Sequence, residues 1–297
     1  MTYILVDTAN TFFRARHVSS RGTDLDTKIS LAFHILFNSL KKANTMFSGS
    51  HVVFCLEGRS WRKDFYEPYK KNRKVVLDKR NEREKEEDDF WWEAFDHFCT
   101  FVKENTNCSV LREPTSEADD CIALWIQAHP NEKHVIISSD SDFYQLINNN
   151  VTLYNGVANQ VVTANGFYDE KDRPIIDKKT GETKLPPNPE WMLFEKCMRG
   201  DSADNVFSAY PKVRKAKLEE AFADRENQGF VWNNLMLQRW TDHNGTEHRV
   251  KECYERNKKL IDLTQQPEEI RKKVFAEIFQ AQNPKHVDQV GIRFMKF

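Results

Sequence analysis

His134-Val135-Ile136-Ile137-Ser138-Ser139-Asp140-Ser141-Asp142-Phe143 reads as a buried strand that ends in two carboxylates and turns into a helix. A short apolar run bounded by turn residues suits the interior of a parallel sheet. The arrangement recurs along the chain. Asp7 closes the apolar run Tyr3–Val6, and Glu117, Asp119 and Asp120 open a helix just past a third strand candidate, Cys108–Leu111. Asp201 and Asp204 end a helix further on. In a parallel α/β sheet, ligands collect in the crevice outside the carboxyl ends of the strands. Acids gathered there repel one another unless a cation lies between them. All are hard oxygen donors with no accompanying Cys or His, which selects magnesium, with manganese as a substitute, over zinc. The substrate class that suits such ions is phosphate.

Outward from these acids, the first half of the chain alternates strand and helix. Strand Tyr3–Asp7 leads to an amphipathic helix of about 20 residues, with Ile29, Phe33, Leu36, Leu40 and Phe47 on one stripe. Strand His51–Leu56, a charged helical region, strand Cys108–Leu111 and a helix from Glu117 to about Gln127 follow. Strand His134–Ser139, a short helix from Asp142 and strand Val151–Tyr154 complete the series. This order predicts an α/β fold with a mainly parallel central sheet and helices on both faces. Residues 156–189 break the rhythm, with a hairpin-like Asp177-Lys178-Lys179-Thr180-Gly181 and the close Leu185-Pro186-Pro187-Asn188-Pro189. They read as an irregular excursion and a boundary. The expected division is an α/β domain over 1–189 and a smaller helical region over 190–297.

At 297 residues, 39% hydrophobic and 30% charged, the composition is that of an ordinary soluble globular protein of one large or two unequal domains. No window approaches the roughly 18 apolar residues of a membrane helix, and the first residues lack the basic and apolar regions of a signal peptide. Six cysteines without a Cys-x-x-Cys pair suit reduced thiols in a cytoplasm rather than disulfides or zinc. The net charge of −1 conceals a strong local bias. Residues 59–85 hold eleven Lys or Arg against five Asp or Glu, a local net of +6. A nucleic-acid enzyme with a carboxylate metal site needs both signs, kept apart.

Each motif has a plainer reading. One or two acids at a helix start can serve as caps or answer the macrodipole, but three in four residues after Pro114-Thr115-Ser116 exceed that need. Asp142 alone would pass as the cap of a βα turn; the pair Asp140 and Asp142, beside the other clusters, reads as metal ligands. Asp7 could be a turn residue, and a phosphatase nucleophile there would require Asp-x-Asp, whereas the chain has Asp7-Thr8-Ala9. Gly200-Asp201-Ser202-Ala203-Asp204-Asn205-Val206 alone would be a C-cap and polar turn. It leads, however, to Lys212, Arg214, Lys215 and Lys217, four cations in six residues that suit a phosphate backbone better than a solvated face. From Arg59 to Lys74, Arg62, Lys63, Lys70, Lys71, Arg73 and Lys74 interleave with Trp61, Phe65, Tyr66 and Tyr69, a mixture suited to phosphates and stacked bases. Asp64 is the lone acid in its middle and a further metal-site candidate.

Together these blocks resemble the flap endonuclease, or 5′ nuclease, family, and within it the ribonuclease H type of T-even bacteriophages. The resemblance rests on Ile4-Leu5-Val6-Asp7, Trp61-Arg62-Lys63-Asp64-Phe65, Tyr69-Lys70-Lys71-Asn72-Arg73, Glu117-Ala118-Asp119-Asp120, Ser138–Phe143 and Gly200–Val206, in that order over roughly residues 3–210. It implies that Asp7, Asp64, Glu117, Asp119, Asp140 and Asp142 surround two Mg2+ ions, with Asp120, Asp201 and Asp204 nearby or acting through water. Lys70 and Arg73 would be catalytic cations over the scissile phosphate. Residues 70–95 would form an arch for a free 5′ end, and Asp201 to about Phe222 a helix–turn–helix on the duplex. The implied reaction is two-metal hydrolysis from the 5′ end of RNA primers or DNA, on RNA–DNA hybrids, nicked duplexes or 5′ flaps, during phage replication in the host bacterial cytoplasm. A monomer is expected, with single-strand-binding protein and sliding clamp as partners, and residues 291–297 as the clamp-docking tail. One departure stands out: Val206–Arg214 lacks the glycine-rich hairpin that lets backbone approach phosphate and a monovalent cation. The competing readings are a PIN-type ribonuclease and a non-catalytic DNA-binding replisome protein.

Overall fold

A computed structural model describes residues 1–19, 24–290 and 292–293 and resolves them into two compact units. The first comprises Met1–Ser60, Arg80–Pro187 and the chain from Pro267 onward; the second comprises Trp61–Lys79 and Asn188–Gln266. The expected single boundary near 189 is therefore crossed twice: residues 61–79 join the second unit, and the chain beyond 267 returns to the first. Residues 291 and 294–297 of the expected clamp-docking tail lie outside the described residues.

The first unit is built on a seven-stranded sheet in the order β3 (Ser109–Leu111), β2 (His51–Cys55), β1 (Thr2–Asp7), β4 (Lys133–Ile137), β5 (Val151–Asn155), β6 (Gln160–Thr163), β7 (Gly166–Asp169). Strands β1 to β5 pair in parallel, and β6 and β7 add an antiparallel edge. Ile4, Leu5 and Val6 are all fully buried, as a strand covered on both faces requires. Alternation along β1 decides which residue meets which layer. Ile4 and Val6 join Phe12 of α1 (Thr8–Ser19), Leu36 and Leu40 of α2 (Leu25–Met46) and Trp91, Phe95 and Phe98 of α5 (Glu82–Asn105) in one core. Tyr3 points the other way, onto Trp125 of α6 (Ala118–Ala128), at 5.3 Å between ring centroids. Helix α11 (Glu268–Ala281) packs beside α6 and β3. The fold class matches the expectation.

Two local differences have physical reasons. The single helix expected after β1 is two, because Asp24 caps a fresh start by accepting from Thr27 N at 2.9 Å. Residues 156–189 are not all irregular: Gln160–Thr163 and Gly166–Asp169 extend the sheet as strands too short to show a period. The Asp177–Gly181 turn does close, with Gly181 N donating to Asp177 O at 2.8 Å and Gly181 at φ +73°.

The second unit holds α3 (Arg62–Phe65), α4 (Lys71–Asp78), α7 (Pro189–Arg199), α8 (Lys215–Ala223), α9 (Phe230–Met236) and α10 (Val250–Ile261), with an unexpected hairpin of β8 (Arg239–Thr241) and β9 (Glu247–Arg249). Asn188 caps α7 ahead of Pro189 at its first position. Phe194, Met198, Leu218, Leu235 and Val250 form its core, and Tyr69, Cys197, Val206, Leu260 and Ile261 a second apolar cluster. All six cysteines are free thiols. Among the described residues, no helix is long and apolar enough to cross a membrane.

Candidate metal and phosphate site

Because β1 to β4 run parallel, their carboxyl ends share one edge of the first unit's sheet. Asp7 ends β1, and Ser138, Ser139 and Asp140 follow β4. Glu117 caps α6, and Asp119 and Asp120 lie in its first turn. Asp7 is only 4% exposed. Its carboxylate accepts from Ser138 Oγ at 2.7 Å and from Asn10 N at 3.3 Å, and Asn10 Oδ1 in turn accepts from Ser139 Oγ at 2.9 Å. Asp140 accepts from Asp142 N at 2.9 Å, which gives its side chain the turn-capping role. Asp120 is fully buried and accepts from Glu117 N at 3.2 Å within a capping box. That bond gives Asp120 a structural task the sequence allowed for.

Two acids at this edge escaped the sequence reading. Glu57, two residues past β2, accepts from Ala118 N at 3.2 Å. Glu113, two residues past β3, is buried and accepts from Thr115 N and Oγ1 at 2.7 Å and Ser116 Oγ at 2.9 Å. Gly58 lets these loops meet: a Cβ there would lie 2.3 Å from Glu113 O and 2.7 Å from Ser116 O. The crowding of negative charge registers on two fully buried thiols. Burial pushes Cys55 well above the ordinary thiol value, and Cys121, Asp7 and Asp119 push it further. Cys121 is raised first by burial and then by Asp120, with Glu57 and Glu113 adding to it.

This donor set is carboxylate oxygen throughout, on a buried edge, which fits a hard divalent cation. Asp7, Glu117, Asp119, Asp140 and Asp142 are the side chains that would hold it. Among the described residues, no three of His, Cys, Asp and Glu already converge as a metal-holding group.

The remaining candidates lie in the second unit. Asp64 is exposed on α3. Asp201 pairs with Lys196 at 2.8 Å and accepts from Ala203 N at 2.8 Å. Burial would raise its carboxyl, but the Lys196 ammonium and the backbone donors outweigh that and hold it below the ordinary value. Asp204 accepts from Tyr69 OH at 2.9 Å, lies 3.6 Å from Lys70 Nζ and pairs with Arg73. Both acids thus have basic partners within their own unit.

The aromatic–cation segment differs from its expectation. Arg62, expected on nucleic acid, is 1% exposed; it donates from Nε to Leu260 O at 2.7 Å and lies over the Trp61 ring. It is a core side chain, because a guanidinium with a carbonyl partner and an aromatic face can be buried. Trp61 and Tyr69 are buried too, and Lys259 and Arg256 cover Phe65 and Tyr66. Trp61 and Tyr69 thus hold the segment to its unit and are not open platforms for bases, whereas Phe65 stays 42% exposed. Lys63, Lys71, Arg73 and Lys74 remain exposed. The span expected as an arch contains α4, in the second unit, and the start of α5, in the first, where Asn81 and Glu84 form a capping box.

Between α7 and α8 the chain turns tightly. Gly200 holds φ +78° and ψ −173°, a region essentially confined to glycine, and a Cβ there would lie 2.3 Å from Val206 O. Asp201 and Val206 then pair in both directions at 2.8 and 2.7 Å. The positive φ expected of glycines is carried by Asn205 at +57° and Lys212 at +60°. Arg214 occupies the N-cap of α8 without a capping bond, and Lys215 and Lys217 fall in its first turn. Cations there oppose the helix dipole, so this end combines exposed backbone N–H groups with side-chain charge and suits an anion.

A family model for the 5′-3′ exonuclease N-terminal resolvase-like domain matches residues 2–174. A 5′-3′ exonuclease of Mycoplasmopsis pulmonis is 26% identical over 208 residues, covering 69% of this chain and 60% of the relative. A ribonuclease H of Enterobacteria phage T4 is 28% identical over 199 residues, 63% of this chain and 55% of the relative. The match therefore spans less than two-thirds of either relative's length. The bacteriophage T5 flap endonuclease, solved as a pseudo-enzyme-product complex with DNA and metal ions, has a TM-score of 0.64 at 18% identity, covering 95% of this chain and 99% of that one. The T5 protein co-crystallised with metal ions has a TM-score of 0.63 at 18% identity, covering 100% and 98%. At that identity the likeness establishes a shared fold.

Proposed function

We propose, on the premise that this chain belongs to the 5′-3′ exonuclease family, that it is a magnesium-dependent, structure-selective 5′ nuclease. Its proposed substrates are RNA primers or DNA presented as RNA–DNA hybrids, nicked duplexes or 5′ flaps, and its setting is phage replication in a bacterial cytoplasm. The observation that carries the reading is the row of acids at the carboxyl ends of parallel strands, with Asp7 buried and hydrogen-bonded from Ser138.

Asp7, Glu117, Asp119, Asp140 and Asp142 would hold the metal, with Asp64 as a further candidate. Bound magnesium would supply Lewis-acid stabilisation of the phosphoryl group and a water of lowered pKa. Ser138 orients Asp7 by donating to one of its oxygens, leaving the other carboxylate oxygen beside Asn10 N. Lys70 and Arg73 neutralise charge that develops on the phosphoryl oxygens. Lys212, Arg214, Lys215 and Lys217 hold backbone phosphates, with Lys63, Lys71 and Lys74 adding positive surface. Asp201 and Asp204 keep a supporting role through their cation partners.

The test is a gel assay of the purified protein on a 5′-labelled flap, a nicked RNA–DNA hybrid and a single strand, with magnesium or EDTA. Metal-dependent release of short products from the 5′ end of the first two is expected. Cleavage confined to single-stranded RNA would replace the reading with a PIN-type ribonuclease. Binding with no cleavage under any metal would replace it with a non-catalytic DNA-binding protein.

A further inference from the structure

Lys70 adopts φ +55°, a left-handed conformation that costs a non-glycine residue roughly 1–2 kcal/mol. Backbone strain of this kind persists where the surroundings over-determine it. Here the surroundings are a seam of hydrogen bonds within the second unit. Lys70 N donates to Asp204 O at 2.9 Å, and Asn205 Nδ2 donates to Pro68 O at 2.7 Å. Asn72 Nδ2 reaches Ser202 O at 3.1 Å and Ala203 O at 3.3 Å, and Tyr69 OH reaches Asp204 at 2.9 Å. On one side of the seam lies the turn that starts α4 and carries Lys70 and Arg73. On the other lies the Asp201–Val206 loop, closed on itself and rooted at Gly200, from which the chain runs on to the cations at the start of α8.

We infer that Asn72 and Asn205 are positioning residues that fix Lys70 and Arg73 against the Asp201–Val206 loop, so that this loop sets the geometry of the phosphate-neutralising segment. This rests on the reading of Lys70 and Arg73 as the neutralising cations. Two features single out these amides from ordinary loop bonds. Each uses its side-chain N–H₂ on main-chain carbonyls of the opposite segment, so the seam does not depend on the ionic pairs at Asp204. Asn205 is itself at φ +57°, where Asn is among the few tolerated side chains. Its conformation and its amide bond are therefore set together.

The experiment compares Asn205→Gly and Asn72→Ala with the wild type in single-turnover cleavage of a 5′-labelled flap with magnesium, alongside equilibrium binding of the same flap. Glycine keeps the positive φ and removes only the amide, which guards against simple misfolding. Each variant is expected to slow cleavage about 10- to 100-fold with flap affinity held within about threefold, since a small misplacement of a catalytic group has that order of effect. In a Lys70→Ala background, Asn205→Gly should slow cleavage far less, because the group it positions is gone. Wild-type rates in both variants, or an undiminished further loss in the Lys70→Ala background, would overturn the inference while leaving the nuclease reading intact. A wild-type protein that fails to cut the flap would overturn both.

Discussion

His134 is the most exacting test of the first unit's packing. It sits on β4 beside Tyr3 of β1, with its ring stacked on that tyrosine at 5.6 Å, and it is 1% exposed. Neither ring nitrogen has a hydrogen-bond partner among the described residues. Burial, reinforced by His129, lowers its pKa from 6.5 to about 4, against opposing pulls from the Glu132 carboxylate and backbone. The folded state therefore binds fewer protons than the unfolded chain between pH 6.5 and about 4. Stability contributed by this group is complete above 6.5 and is lost as the pH falls through that window. The shift corresponds to roughly 3 kcal/mol in full, of which about 2 kcal/mol is lost by pH 5. His134→Phe keeps the stacking and removes the titration. In urea unfolding followed by far-UV ellipticity, the stability difference between variant and wild type should move in the variant's favour by about 2 kcal/mol between pH 7 and pH 5. A difference constant across that range would show that His134 finds a partner or water and is not held neutral by burial.

The other predictions concern turns and chemistry. Gly200→Ala should destabilise the second unit by roughly 2–5 kcal/mol, combining a glycine-only backbone region with a Cβ pressed against Val206 O; a urea midpoint within error of wild type would refute it. Asp140→Asn should nearly abolish magnesium-dependent cleavage while leaving flap binding largely intact, and wild-type turnover would sink the metal assignment. Lys70→Ala should slow single-turnover cleavage by about 10²-fold or more without lowering the melting temperature; an unchanged rate would remove Lys70 from the mechanism.

Much of the first unit was legible because its central strands are continuous apolar runs closed by acids, the pattern that buried parallel strands impose. Asp7, Asp140 and the Glu117–Asp120 cluster could be found by that rule. Glu57 and Glu113 obey it equally, as the first acids after β2 and β3, but each stands alone in sequence, and only the parallel pairing of β3, β2 and β1 places them on the same edge. Strands β6 and β7 were hidden because four residues cannot display a period. The return of α11 to the first unit was hidden because its stripe of Ile270, Val274 and Ile278 states that the helix has a partner without naming α6 and β3. Arg62 shows the limit of reading charge as surface: its guanidinium is buried, with the Leu260 carbonyl and the Trp61 indole face among its contacts.

The glycine-free turn sharpens this point, because there the sequence signal and the backbone disagree. Lys212 occupies φ +60° where a glycine would be unstrained, so the chain keeps a cation at the cost of about 1–2 kcal/mol of backbone strain. Lys212→Gly separates the two effects. Relief of strain is offset by the roughly 0.5–1 kcal/mol that glycine loses in chain entropy, which leaves stability level or slightly raised. Duplex affinity should nevertheless fall, and the slope of log affinity against log salt should become shallower by about one counterion. A residue kept for packing would lose stability on this change, and a residue kept for phosphate loses only binding. If Lys212→Gly binds a nicked duplex as tightly as wild type with the same salt slope, the turn makes no phosphate contact at this position, and the grip belongs to Arg214, Lys215 and Lys217 at the start of α8.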